Sequence, residues 1–210
     1  MEILSQEEIR IIGSLIEKEY ATPEYYPMTI NALTNACNQK SSRNPVVNYD
    51  ELLVEVTVQK LRDKKLVSKI TGADQRVPKY QQIFARNYDL TLPQTAVLCV
   101  LFLRGAQTIG EIKSRSYRIY EFKDLAETEQ TLDELINRED PFVIKLPKDS
   151  GRENKYTHLF CGAPEIQIQQ KEKEISPEER ITALEENVKL LQDMYENLSN
   201  KFEEFKKSFE

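Results

Sequence analysis

The only histidine, His158, stands three residues before Cys161. Histidine and cysteine are the residue types that bind zinc or pair as a nucleophile with its base. Two such ligands without a matching pair fall short of a zinc site, and no activated-serine motif accompanies the histidine. His158 lies within residues 155–160, a strand-like run, and reads there as a satisfied structural side chain. Six glycines in 210 residues leave little room for a glycine-rich phosphate loop. The pairs of Asp and Glu fall on helix-like faces where solvated charge is expected. The sequence therefore nominates no catalytic residue, no metal and no cofactor, and the expectation is that the protein is not an enzyme.

Binding chemistry is better represented. Lys40, Ser42 and Arg43 lie in the polar turn 38–44, and Lys113, Arg115 and Arg118 lie in a second basic stretch, 113–118. Arginine beside hydroxyl groups suits phosphate oxygens and equally suits carboxylates of a protein partner. The alternative is internal pairing, with Glu121 or Asp124 as nearby partners. Tyr20, Tyr25 and Tyr26, around Pro23 and Pro27, could stack bases or receive a peptide, or else close over a small core.

The elements that would carry these residues recur. Ser5 followed by Glu8 is a capping-box pattern, with Ile9, Ile12 and Ile16 on one face of the helix it opens. A second helix is expected from Thr29 through Leu33 and Cys37. A third opens near Asp50, with Leu53, Val56, Val58 and Leu61 as its inward positions. Strand candidates at 66–70 and 77–84 flank a turn-like segment. The same order returns as helices at 91–104, 108–117 and 124–138, the last with Leu125, Leu132, Leu135 and Ile136 inward, followed by strands at 142–146 and 155–160. Thr29 maps onto Thr108 and Phe84 onto Phe160. The expected fold is mainly α with small β-hairpins, an α+β chain of two tandem winged-helix domains, residues 1–88 and 89–163.

A polar linker, 164–176, then leads into a helix over 177–210. There Ile181, Leu184, Val188, Leu191, Tyr195, Leu198, Phe202, Phe205 and Phe209 alternate at spacings of three and four, a coiled-coil seam. An exposed Leu and Phe stripe is costly, so a homodimer through this seam is expected, against a helix folded back on its own body. The formal charge of −6 divides as +1 over residues 1–88, −2 over 89–163 and −5 over 164–210. The acidity belongs to the tail, and the body lacks the broad basic excess that makes nucleic acid the default partner. No apolar run approaches a membrane span and no signal peptide is evident, so a soluble, cytoplasmic protein is expected. Cys37, Cys99 and Cys161, odd in number and widely spaced, read as reduced and mostly buried.

Residues 21–33 (ATPEYYPMTINAL), running into 36–46 (ACNQKSSRNPV), resemble the YceH family of uncharacterised bacterial proteins. So do 103–108 (LRGAQT), 138–141 (REDP) and 155–160 (KYTHLF). The resemblance implies a tandem winged-helix fold and carries no activity with it. Winged helices commonly read DNA with their third helix. Here the first such helix opens with Asp50, Glu51 and Glu55, and the second sets five acidic residues against Arg138 alone, which opposes phosphate. The functional expectation is thus a non-enzymatic adaptor or regulator binding a macromolecule, protein in preference to DNA. The competing reading is a DNA-associated transcriptional regulator whose helix-turn-helix turns contact phosphates.

Overall fold

The computed structural model describes residues 2–70, 77–147 and 153–163, all within one compact unit. The linker and every seam position from Ile181 to Phe209 lie outside the described residues. Along the chain run α1 (Gln6–Ala21), α2 (Ile30–Cys37), α3 (Glu51–Asp63), β1 (Val67–Ile70), β2 (Lys79–Gln82) and a short α4 (Phe84–Asn87). Then follow α5 (Leu92–Arg104), β3 (Gln107–Thr108), α6 (Ile109–Ser116), α7 (Leu125–Ile136), β4 (Val143–Lys145) and β5 (Lys155–His158). The chain is an α+β protein, helical with small antiparallel sheets, as the hydrophobic periodicities imply.

The helix starts follow from local chemistry. Ser5 and Glu8 close a reciprocal capping box, with Ser5 N–H donating to the Glu8 carboxylate at 2.8 Å and Glu8 N–H to Ser5 Oγ at 3.3 Å. Thr29 and Thr108 each accept a hydrogen bond at the start of α2 and α6. β1 and β2 pair antiparallel from Val67↔Gln82 to Ile70↔Lys79. β5 lies between β3 and β4, with Gln107 opposite Tyr156, while in the first half Met28 bridges Tyr80. In each half the residue just before the N-cap of the second helix, Met28 or Gln107, thus pairs with a tyrosine of the following hairpin.

The inward faces of the third helices differ from the hydrophobic pattern. In α3 the buried positions are Val54, Thr57, Val58 and Leu61, while Leu52, Leu53 and Val56 stand 69%, 39% and 46% exposed. In α7, Thr128 and Thr131 are buried with Leu132 and Leu135, and Leu125 is exposed. Each threonine hydroxyl donates back to a carbonyl one turn earlier: Thr57 to Leu53, Thr128 to Asp124 and Thr131 to Glu127, at 2.7–3.0 Å. The hydroxyl is satisfied within its own helix, so a residue counted as polar takes a core position and turns the face by one residue.

The most extensive contact between helices is that of α1 with α5, which joins the two halves. Buried side chains run all round α1 from Ile9 to Ile16 because α2 and α3 cover one side and α5 another. Gly13 lies at the closest approach: a Cβ there would stand 3.0 Å from Leu103 Cδ2, Leu103 Cγ and Phe102 Cβ. Cys99 Sγ donates to the Gly13 carbonyl at 3.4 Å. Beside this crossing Phe84 and Phe160 meet edge to face at 5.1 Å, with Tyr88, Phe102 and Phe142 completing an aromatic cluster.

Gly13→Val should destabilise the chain by about 1–3 kcal/mol through overpacking, in spite of the helix propensity gained over glycine. Urea unfolding of the full chain checks this, and an unchanged midpoint would mean that α1 and α5 do not approach this closely.

Candidate functional site

The first basic turn is built around Arg43, and the arginine is not on the surface. It is 6% exposed, and its five N–H donors are all engaged. Nε and Nη2 reach the Ala36 carbonyl at 3.2 and 2.9 Å, Nη1 the Ser42 carbonyl at 3.0 Å, and Nη1 and Nη2 the two Glu17 oxygens at 3.2 and 2.6 Å. Nothing on Arg43 remains to meet a ligand. It instead closes the end of α2 and ties it to α1. The next residue continues the tie, with Asn44 N–H donating to the Leu103 carbonyl at 2.8 Å and its amide to the Arg104 carbonyl at 3.4 Å. Arg10 Nη2 holds the Pro45 carbonyl at 2.6 Å. The turn is therefore bolted to the last turn of α5.

The second basic stretch divides as well. Lys113 Nζ donates to the Phe122 carbonyl at 2.9 Å and is directed inward. Arg115 pairs with Glu111 one helical turn away at 3.1 Å, both about a third exposed, so the pair contributes little stability and leaves Arg115 able to turn elsewhere. Arg118 is exposed; its Nε donates to the Tyr117 hydroxyl at 2.9 Å and its guanidinium lies 5.6 Å from that ring. Neither Glu121 nor Asp124 takes part in an ion pair with these cations among the described residues.

One cleft of about 200 Å³ brings parts of both turns together. Glu17 of α1, Ser42 of the first turn, and Arg115 and Arg118 of the second stretch all line it. Arg104, at the end of α5, completes it over an apolar floor that includes Val100, Leu103 and Ile119. Ser42, Arg115 and Arg118 thus converge from two turns more than 70 residues apart, whereas Lys40, Arg43 and Lys113 do not line the cleft. Arg104 and Glu17 were not among the residues singled out in the sequence. Arg104 reads there as an ordinary cation in the last turn of a helix, ahead of the C-cap Gly105 at φ 70°. Burial lowers the Arg104 pKa, and the neighbouring Arg115 charge lowers it further. Arg104 has no ion-pair partner among the described residues.

The other candidates resolve individually. Tyr26 is structural, accepting the Gln82 N–H on its hydroxyl at 2.7 Å, while Tyr25 stands 71% exposed. All three cysteines are free thiols, and burial raises each pKa, that of Cys37 to about 11, so none is activated as a thiolate. Among the described residues no group of three or more His, Cys, Asp and Glu is placed to hold a metal. His158 sits edge-on to Phe102 at 5.0 Å, and its Nδ1 has no hydrogen-bond partner among the described residues. It is structural but not satisfied, and burial pushes its pKa down to about 4.

A helical α+β body with small antiparallel sheets, whose two halves meet at a cationic cleft, defines the class of protein. Residues 4–152 match a family described as "Protein of unknown function, DUF480". Proteins named UPF0502 are similar: one from Opitutus terrae is 45% identical over 177 residues, covering 83% of this chain and 77% of its own length. Another, from Solibacter usitatus, is 49% identical over 164 residues, 78% of each chain. A third, from Vibrio campbellii, is 47% identical over 165 residues, 76% of each. The chain belongs to this family, in agreement with the YceH resemblance.

His158 supplies a pH signature. Its folded pKa of about 4 lies below the ordinary value of 6.5, so the unfolded chain binds the extra proton between these limits. Stability should fall as pH drops through that window, His158 contributing roughly 3 kcal/mol of the loss. Urea unfolding at several pH values between 7 and 4 should give a shallower fall for His158→Gln than for the natural chain. Equal falls would place the imidazole in water.

Proposed function

We propose that the protein is a non-enzymatic cytoplasmic adaptor or regulator that binds a protein partner, built from two winged-helix modules and dimerised by its C-terminal helix. The winged-helix reading is supported by the element order, three helices and a hairpin in each half, and by the matched positions Thr29 and Thr108, Met28 and Gln107, Tyr80 and Tyr156. The dimer reading is supported by the alternating apolar positions from Ile181 to Phe209.

The observation that carries the choice of partner is the outward face of the third helices. Over its first two turns α3 presents Glu51, Leu52, Leu53, Glu55 and Val56 to solvent, with its cations, Lys60 and Arg62, confined to the last turn. α7 contains no Lys or Arg and exposes Leu125, Glu129, Asp133 and Glu134. Arg138, just beyond α7, is turned to the body, its Nη2 on the Tyr88 carbonyl at 3.0 Å and its guanidinium 4.5 Å from the Phe142 ring. Such faces repel phosphate and suit a protein surface that supplies apolar contacts and cations. The second reading, DNA-associated regulation, is favoured by the cations at Arg104, Arg115 and Arg118, which share a cleft that no residue of α3 or α7 lines.

The test combines two arms on the full chain. Fluorescence anisotropy with labelled duplex DNA at 50 and 200 mM salt should show no tight, salt-steep binding. A photo-crosslinking side chain at Leu52 or Val56 should trap a discrete protein in cells of the native host. Duplex binding that weakens about a thousandfold across that salt range, and is lost on charge reversal of Arg115 and Arg118, would overturn the protein-partner reading.

A further inference from the structure

The cleft between the halves carries a chemistry that the adaptor reading does not use. Glu17, the one carboxylate on its wall, is already neutralised by Arg43 at 2.6 Å, with Lys18 at 3.8 Å. Arg115 is half-compensated by Glu111. Arg104 and Arg118 face no carboxylate within ion-pair distance among the described residues, although both line the cleft. Two guanidinium groups without a direct carboxylate partner among the described residues, which feel Glu17 only at longer range, therefore line one small cavity, a third can join by releasing a surface ion pair, and the Ser42 hydroxyl has no partner among the described residues. The floor is apolar.

We propose that this cleft binds a small organic phosphate monoester, its phosphoryl group held by Arg104, Arg115 and Arg118 and its organic part lying on Val100, Leu103 and Ile119. A dianion matches the two open positive charges, whereas a single carboxylate would leave one uncompensated. Guanidinium forks recognise phosphoryl oxygens with paired hydrogen bonds. A ligand held by Ser42 of the first half and the three arginines of the second bridges the joint, so binding stabilises the folded body by mass action. The proposal is independent of the protein-partner reading and survives its failure.

Isothermal titration and thermal unfolding of the full chain test it, with inorganic phosphate, phenyl phosphate, benzoate and a short DNA duplex as probes. Phenyl phosphate should bind saturably, raise the unfolding temperature, and bind more tightly than inorganic phosphate or benzoate. Arg104→Gln should weaken it by about tenfold or more, consistent with loss of a charge-assisted hydrogen bond. Arg118→Gln, an exposed change that leaves the fold intact, should weaken it too, while Lys69→Gln, at the exposed position of β1, should not. Absence of saturable phenyl phosphate binding overturns the proposal, as does binding unchanged in both arginine variants. Duplex binding that needs these arginines while phenyl phosphate fails to bind assigns the cations to nucleic acid and also overturns it.

Discussion

A guanidinium placed in a protein interior is tolerated only when its charge and every donor are met, because the cost of dehydrating it is several kcal/mol. Arg43 satisfies that condition in one place, where the end of α2, the middle of α1 and its own turn come together. Its carboxylate partner, Glu17, lies one helical turn beyond the Gly13 region where α1 crosses α5. Asn44, the next residue, fastens the same turn to the last carbonyls of α5. The ion pair thus fixes the first basic turn on α1, and the Asn44 bonds and the α1–α5 crossing carry that placement to the second half, where Ser42 comes to line the cleft.

This arrangement separates two kinds of arginine that look alike in the sequence. Arg43 holds the body together and has nothing left to offer a ligand. Arg104, Arg115 and Arg118 are positioned by backbone and helix ends, keep donors available, and share a cavity with an apolar floor. No residue of α3 or α7 lines this cleft, and the first turns of α3 and the whole of α7 present acidic and apolar side chains instead. Binding chemistry therefore divides between a helix face suited to a protein surface and a cleft suited to a small anion.

What was legible in the sequence was local. The Ser5–Glu8 box and the helix starts at Thr29 and Thr108 depend on residues three positions apart, each hairpin pairs strands adjacent in sequence, and all are present, although the strand expected over 77–84 ends at Gln82 and Phe84 opens α4. The inward face of α3 was misread at Leu53 and Val56 because Thr57 counts as polar until its hydroxyl is seen to bond back to Leu53. The fate of Arg43 was hidden because its partner lies 26 residues earlier. Internal pairing was among the readings of that turn, but with different acids. Arg104 lies in the 103–108 segment that carries the family resemblance, but nothing local assigns it to a site, because a cleft made from α1, two turns and α5 is a property of packing and helix-end cations are common for other reasons.

The most direct measurement of this account is a double-mutant cycle between Arg43 and Glu17 in urea unfolding of the full chain, using Arg43→Met, Glu17→Gln and the pair. A buried, fully bonded ion pair predicts a coupling of about 2 kcal/mol or more, with the double variant little worse than Arg43→Met alone. Effects that add to within about 0.5 kcal/mol would mean that the two side chains act independently, and that the first basic turn is held on α1 by something else.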